Sequence, residues 1–374
     1  MYAWCPESMP SARRVPMVMA WFGLALKALL TDCVTAHGHV RNVDAPACLR
    51  SQGNGRWTVA AGKHHPQRRW SFMTPVGEGL GCSRKNGTAD WHENVVALGF
   101  DFDNCPLEQL NLKRLCTRLA GRELLFVGDS LQVHLFIEFY MMANHTYATT
   151  SRMCKHYTCR SRYICTDHVP GGVPIEVMRD DYLSLPGEHA PHDVNGNKPM
   201  VHSNRWIRSL SNKTVVILTA GSHYWEPANH RAHLVKFALA MKQVMTALPG
   251  LRVVYRSATA GHRNCNETKS PLSSLTGPRA SSFLPRADIH DSFSMFGWHH
   301  IEAARPANDE SFRSLGAAIL EAWTPAAYRP DMHPPHLDTL HHHIDCLHFC
   351  PGEAVYYTWA LTLANMIQAW DLLE

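Results

Sequence analysis

Residues 123–142, ELLFVGDSLQVHLFIEFYMM, decide the architecture of this 374-residue chain. The first six positions form a short apolar run that ends on Gly128. From Leu131 onward the apolar positions recur at helical spacing, so the segment reads as strand, tight turn, helix. The unit is repeated downstream. Residues 214–219 (TVVILT) form a β-branched strand ending at Ala220-Gly221, residues 231–248 (RAHLVKFALAMKQVMTAL) carry a helical pattern stopped by Gly250, and residues 251–256 (LRVVYR) form a third strand. Near-continuous apolar strands alternating with helices predict an α/β fold with a parallel central sheet covered on both faces. Further helices are expected over 311–322 and 356–373, with 266–310 irregular.

Upstream of this core, residues 37–118 are rich in Gly, aromatic residues and Cys and show no sustained helical period. They predict a loop-rich, disulfide-linked N-terminal extension, with the α/β domain occupying 119–374. Residues 1–36 form a leader: Arg13 and Arg14 precede the apolar run 15–30 (VPMVMAWFGLALKALL), followed by Val34-Thr35-Ala36. Pro16, Lys27 and the limited length favour a cleaved signal peptide over a retained signal anchor. The chain meets a membrane only if that segment is retained.

Hydrophobic residues make up 45% and charged residues 18%, which excludes a disordered chain. A net charge of +4 is too slight a bias to point to nucleic acid. The twelve Cys are dispersed and lack zinc-ribbon or zinc-finger spacing, so they read as disulfides of an oxidising compartment. Cleavage after Ala36 would remove Cys5 and Cys33 and leave Cys48, Cys82, Cys105, Cys116, Cys154, Cys159, Cys165, Cys265, Cys346 and Cys350. Sequons at Asn86, Asn144, Asn212 and Asn266 fit a glycoprotein of the secretory pathway.

Ligands of open α/β sheets bind beyond the carboxyl ends of the strands, and three motifs are expected at such ends. Gly128-Asp129-Ser130 places a Ser at a strand-to-helix turn, with an exposed hydroxyl and a backbone N–H at a helix N-terminus. Asp and Ser there are also ordinary helix caps. Thr219-Ala220-Gly221-Ser222-His223-Tyr224-Trp225 can offer donors to a developing oxyanion, or be only a strand exit. Near the end of the chain, Asp345-Cys346-Leu347-His348 supplies an acid and a base three residues apart. His341, His342 and His343 beside it can be a metal site or a solvated run; zinc would want a more defined ligand spacing, so the run is favoured and no metal is expected.

The order GDS, glycine-containing strand exit, late DxxH resembles the SGNH, or GDSL-like, hydrolase superfamily. More specifically it resembles the PC-esterase family, which includes the plant trichome-birefringence-like polysaccharide O-acetyltransferases. The echoes run through Cys48, Gly55-Arg56-Trp57, Cys82, Asn86-Gly87, Asp90-Trp91 and Asn104-Cys105-Pro106-Leu107. They continue through residues 119–131, Tyr255-Arg256-Ser257, Tyr328-Arg329-Pro330-Asp331-Met332-His333 and Asp345-Cys346-Leu347-His348-Phe349-Cys350-Pro351-Gly352. The resemblance implies a three-layer α/β/α domain with Ser130 as nucleophile, His348 as base and Asp345 as its orienter. It also makes Cys346 and Cys350 disulfide components.

Two blocks depart from the family pattern. The Arg expected soon after GDSL is absent from Leu131-Gln132-Val133-His134. Thr219 stands where the family has Asn, and an extra residue separates Gly221 from His223. The oxyanion and substrate-binding group is therefore expected among the Ser130 and Gly221 N–H groups, Thr219, Ser222 and Asp129. The implied activity is acetyl transfer from a donor co-substrate to a polysaccharide or glycan, in the Golgi lumen or membrane or secreted to the cell wall, with no bound cofactor. A carbohydrate O-acetylesterase and an inactive glycan-binding wall glycoprotein are the alternatives.

Overall fold

The computed structural model describes residues 55–59, 98–103, 107–144, 154–155, 158–185, 204–223, 227–259, 261–267, 270–276, 282–284, 298–334, 345–350 and 354–370. Residues 1–36, read as a leader, and Cys48, Cys82, Cys105, Asn86, His341, His342 and His343 lie outside these residues, as do the side chains of Cys154, Cys159 and Asn266.

Chain order runs β1 (Gly55–Val59), β2 (Leu98–Phe102), α1 (Leu112–Leu119), β3 (Glu123–Gly128), α2 (Ser130–Asn144), β4 (Cys154–Lys155), β5 (Thr158–Ile164) and β6 (Val173–Arg179). It continues with β7 (Thr214–Leu218), α3 (Pro227–Ala247), β8 (Arg252–Arg256), α4 (Trp298–Arg313), β9 (Ala318–Leu320), α5 (Trp323–Ala327) and α6 (Ala354–Ala369). One sheet has the order β4-β5-β6-β3-β7-β8-β9. Its β6-β3-β7-β8-β9 portion is parallel, while β5 and β4 add an antiparallel edge. Numbered along the chain, the five parallel strands lie in the order 2-1-3-4-5. The winding direction therefore reverses between β3 and β7, where the carboxyl ends leave a crevice.

Alternate residues of each strand face opposite sides of the sheet. Leu124 and Phe126 of β3, with Val215 and Ile217 of β7, join the cluster built by α1, α2 and α6. Leu125 and Val127, with Val216 and Leu218, join Leu234, Phe237 and Met241 of α3 and Phe312 of α4. Every residue of α2 except Tyr140 and Asn144 is buried. Its apolar residues therefore run all round, as expected of a helix held inside the protein. Polar groups within it then require partners, and two of those partnerships shape the site.

The N-terminal residues are tied to the α/β core. Trp57 Nε1 donates to the Pro325 carbonyl (3.2 Å) and the Arg329 guanidinium lies 4.6 Å from its ring centroid. Glu108 and Asn365 exchange two hydrogen bonds (2.9 and 3.1 Å). Disulfides join Cys116 to Cys165 and Cys265 to Cys346, and Cys350 is also disulfide-bonded. Among the described residues no helix is long and apolar enough to cross a membrane.

Three sequence expectations are corrected. The helix expected over 311–322 ends at Arg313, where Gly316 turns the chain at φ +86°, and Ala318–Leu320 pair with β8 as a strand. Most of that helix lies in the stretch read as irregular, because Pro306 interrupts its sequence pattern. The sheet is not wholly parallel: β5 and β4 run antiparallel, and the polar residues of TCRSRYI concealed β5.

Candidate active site

β3 ends on Gly128 with φ +155°, and a Cβ there would stand 2.5 Å from Thr219 Cγ2 and 2.8 Å from the Thr219 carbonyl oxygen. Only glycine meets both conditions. Asp129 follows as the cap of α2: its Oδ1 accepts the Gln132 N–H (3.2 Å), and its carbonyl accepts from Gln132 and Val133. The capping function belongs to Asp129, which leaves Ser130, the first helical residue, free for another partner. That partner is His348, whose Nε2 lies 2.6 Å from Ser130 Oγ.

His348 Nδ1 lies 2.7 Å from Asp345 Oδ2, so Nδ1 carries the proton and Nε2 is the acceptor for the Ser130 hydroxyl. Asp345 Oδ1 accepts the Leu347 and His348 N–H groups at 3.0 Å each, which closes the loop around the carboxylate. Burial would raise the Asp345 carboxyl, but His348 and these hydrogen bonds hold it well below the usual carboxylate range. Burial likewise opposes charging of His348, and the Asp345 carboxylate more than offsets this, raising the imidazole above its ordinary 6.5. Ser130 is buried, and the His348 and Asp345 side chains are partly exposed, at 19% and 18%.

Beneath the turn, the fully buried Arg256 at the end of β8 holds the first turn of α2. Its Nε donates to Gln132 Oε1 (2.9 Å), its Nη2 lies 3.5 Å from Asp129 Oδ1, and its guanidinium sits 4.8 Å from the Trp359 ring centroid. Burial pushes the Asp129 carboxyl up, but Arg256, His223, the Ser222 hydroxyl and the Gln132 N–H together hold it below its ordinary value. Gln132 completes the network by donating to the Ile217 carbonyl (2.8 Å). On the other flank Arg179, paired with Gly128 in the β3–β6 register, clamps Asp181 through Nε (2.7 Å) and Nη2 (3.1 Å).

The expected oxyanion residues divide. Gly221 has φ +151°, and a Cβ there would meet Ala258 Cβ at 2.6 Å, so it too must be glycine. Neither its N–H nor that of Ser130 bonds any described residue. Thr219 is a correction: its hydroxyl donates to the Arg256 carbonyl (3.0 Å) and its N–H to Val127, so it extends the sheet and offers the site no donor. Asp129 and Ser222 are also turned inward, with the Ser222 hydroxyl on the Asp129 carboxylate. Among the sequons, Asn144 Nδ2 donates to the Tyr163 carbonyl (3.3 Å), and Asn212 Oδ1 accepts the Gly250 N–H (2.9 Å).

Two histidines unassigned from sequence, His134 and His333, touch His348, and a third, His262, lies behind His333. The His134 ring lies 5.3 Å from that of His348, and His134 Nδ1 is 2.9 Å from the Tyr356 hydroxyl. His333 Nδ1 donates to the His348 carbonyl (2.7 Å), and His333 Nε2 faces His262 Nδ1 (2.7 Å). Burial disfavours charge on all three, lowering His134 to about 3 and His262 to about 4 and holding His333 well below its ordinary value. His134 and His333 stood in motifs already singled out, but spacing cannot reveal that two rings close on a third from different elements. No group of three or more His, Cys, Asp or Glu among the described residues could hold a metal ion.

No family model matches the sequence. No curated protein matches it. Among solved structures, the chain is similar to the periplasmic domain of a lipopolysaccharide acetyltransferase from Salmonella ser. Paratyphi A, at 15% identity and a TM-score of 0.29 over 65% of this chain and 81% of that one.

Proposed function

We propose that the protein is an acyl-transfer enzyme that works through an acetyl-Ser130 intermediate and O-acetylates a polysaccharide or glycan in the secretory pathway. The observation that carries the reading is the hydrogen-bonded series Ser130 Oγ, His348 Nε2, His348 Nδ1, Asp345 Oδ2 (2.6 and 2.7 Å) at the crevice where the sheet reverses. The motif resemblance through residues 119–131 and 345–352 supports the acetyl group and the sugar acceptor.

Ser130 Oγ attacks the carbonyl carbon of an acetyl ester while its proton passes to His348 Nε2. The Ser130 and Gly221 N–H groups face the oxygen on which negative charge gathers. Collapse of the adduct expels the donor alcohol, which takes the proton back from His348 and leaves acetyl-Ser130. A sugar hydroxyl then gives its proton to His348 and attacks the acetyl group, restoring Ser130. Water in place of the sugar makes the same machinery an O-acetylesterase.

The test is to incubate the purified protein and Ser130→Ala with a fluorogenic acetyl ester, with and without oligosaccharides, and to weigh the protein and products by mass. An acetyl adduct on the parent alone, moved to sugar, is the expected result. Equal turnover by both proteins would sink the reading, whereas release only to water would assign the esterase.

A further inference from the structure

His134 lies one helical turn beyond Ser130 on α2, so the two side chains share a face. Its proton can be located from its neighbours. The Tyr356 oxygen accepts the Phe349 N–H (3.3 Å), and the Tyr356 side chain is fully buried. Its own O–H therefore needs an acceptor inside the protein, and among the described residues His134 Nδ1 (2.9 Å) is the one it reaches. His134 Nδ1 is thus a lone pair, and the neutral ring carries its proton on Nε2. That nitrogen bonds no described residue, in a side chain that is otherwise buried. Its ring is tilted against the His348 ring at 5.3 Å, so the free donor lies beside the imidazole that serves Ser130.

We propose that His134 is a substrate-contacting residue: its Nε2–H donates a hydrogen bond to an oxygen adjacent to the hydroxyl that gains or loses the acyl group. The inference rests on the acyl-transfer reading, in which His348 serves the oxygen of that hydroxyl, so a donor beside His348 lies next to the same oxygen. It assigns the site a preference for polyols, whose neighbouring carbon bears a second oxygen. A neutral imidazole suits this role, because it donates without adding a charge beside a base that must become cationic.

The test uses the full chain and three variants, His134→Phe, His134→Gln and Ser130→Ala, each checked by its melting curve to be folded at the assay temperature. Two acetyl esters are compared: p-nitrophenyl acetate, with no oxygen beside the ester, and a methyl glucoside acetylated at one secondary hydroxyl. His134→Phe is expected to lower kcat/KM for the sugar ester roughly three- to tenfold more than for the aryl ester, with His134→Gln recovering part of that difference through its amide N–H. Equal losses on both esters, or none on either, would overturn the assignment while Ser130→Ala still abolishes turnover. Full turnover by Ser130→Ala would instead overturn the acyl-transfer reading, and this inference with it. Nitrogen-15 spectra of the parent provide a readout independent of folding in the variants: a pyridine-type Nδ1 and a protonated Nε2 in His134 from pH 5 to 8. A protonated Nδ1 in that range would also overturn the assignment.

Discussion

The Ser130 hydroxyl and the His348 imidazole meet at 2.6 Å across 218 residues of sequence. Each is fixed independently. Ser130 is placed by the Gly128 turn and the Asp129 cap, and His348 by the Asp345 loop, by His333 on its carbonyl and by the Cys265–Cys346 link. Rigid placement from both sides is what proximity catalysis requires. Ser130→Ala or His348→Ala is expected to lower kcat by about 10⁴-fold or more. Asp345→Asn, which releases the imidazole tautomer, is expected to cost on the order of 10³–10⁴-fold. Single-turnover kinetics of acetyl-adduct formation would check both, with melting curves to show that the fold is kept.

Activity is expected to fall in acid. His348 must be neutral to accept the serine proton. Burial disfavours its charge, but Asp345 raises it above the ordinary 6.5, so the acid limb of kcat/KM should have its midpoint above that value. The raised imidazole contributes stability that is complete below the unfolded value and lost as pH rises through the folded one. Asp345→Asn removes the raising charge and should move the limb to lower pH while lowering the plateau. A limb that stays in place in Asp345→Asn would show that another group controls the rate.

The two described disulfides should differ in what their loss does. Cys265–Cys346 anchors the residue between Asp345 and Leu347, whereas Cys116–Cys165 ties α1 to the residue following β5. Removing either is expected to cost about 2–5 kcal/mol of stability. Paired Cys→Ser changes at 265 and 346 should also lower kcat, while those at 116 and 165 should leave it unchanged well below the melting temperature. Calorimetry beside ester turnover would separate the two effects.

Arg256 and Asp129 are both buried, with Nη2 and Oδ1 3.5 Å apart. Arg256→Met leaves the carboxylate without its cation and is expected to destabilise the protein by about 3–5 kcal/mol. Adding Asp129→Asn should restore part of that loss, because the stranded charge is gone. The coupling is read from a double-mutant cycle in denaturant. Additive losses would mean that the Asp129 carboxylate depends on its other partners instead.

What residues 123–142, 214–219 and 251–256 determined by themselves was the layered α/β core, because apolar runs and helical periods are local properties of a chain. The chemistry-bearing Ser130, Asp345 and His348 were legible from their motifs for the same reason. Other features depended on partners far along the chain. β5 carries no apolar period, and its place came from pairing with β6; Ala318–Leu320 is too short to announce a strand without β8 beside it. Thr219 read as a donor to the site until the Arg256 carbonyl took its hydroxyl. His134 and His333 acquired tautomers only from what surrounds each ring. A hydrogen bond has direction, and burial decides whether it must be satisfied; neither property exists until the tertiary structure brings donor and acceptor together.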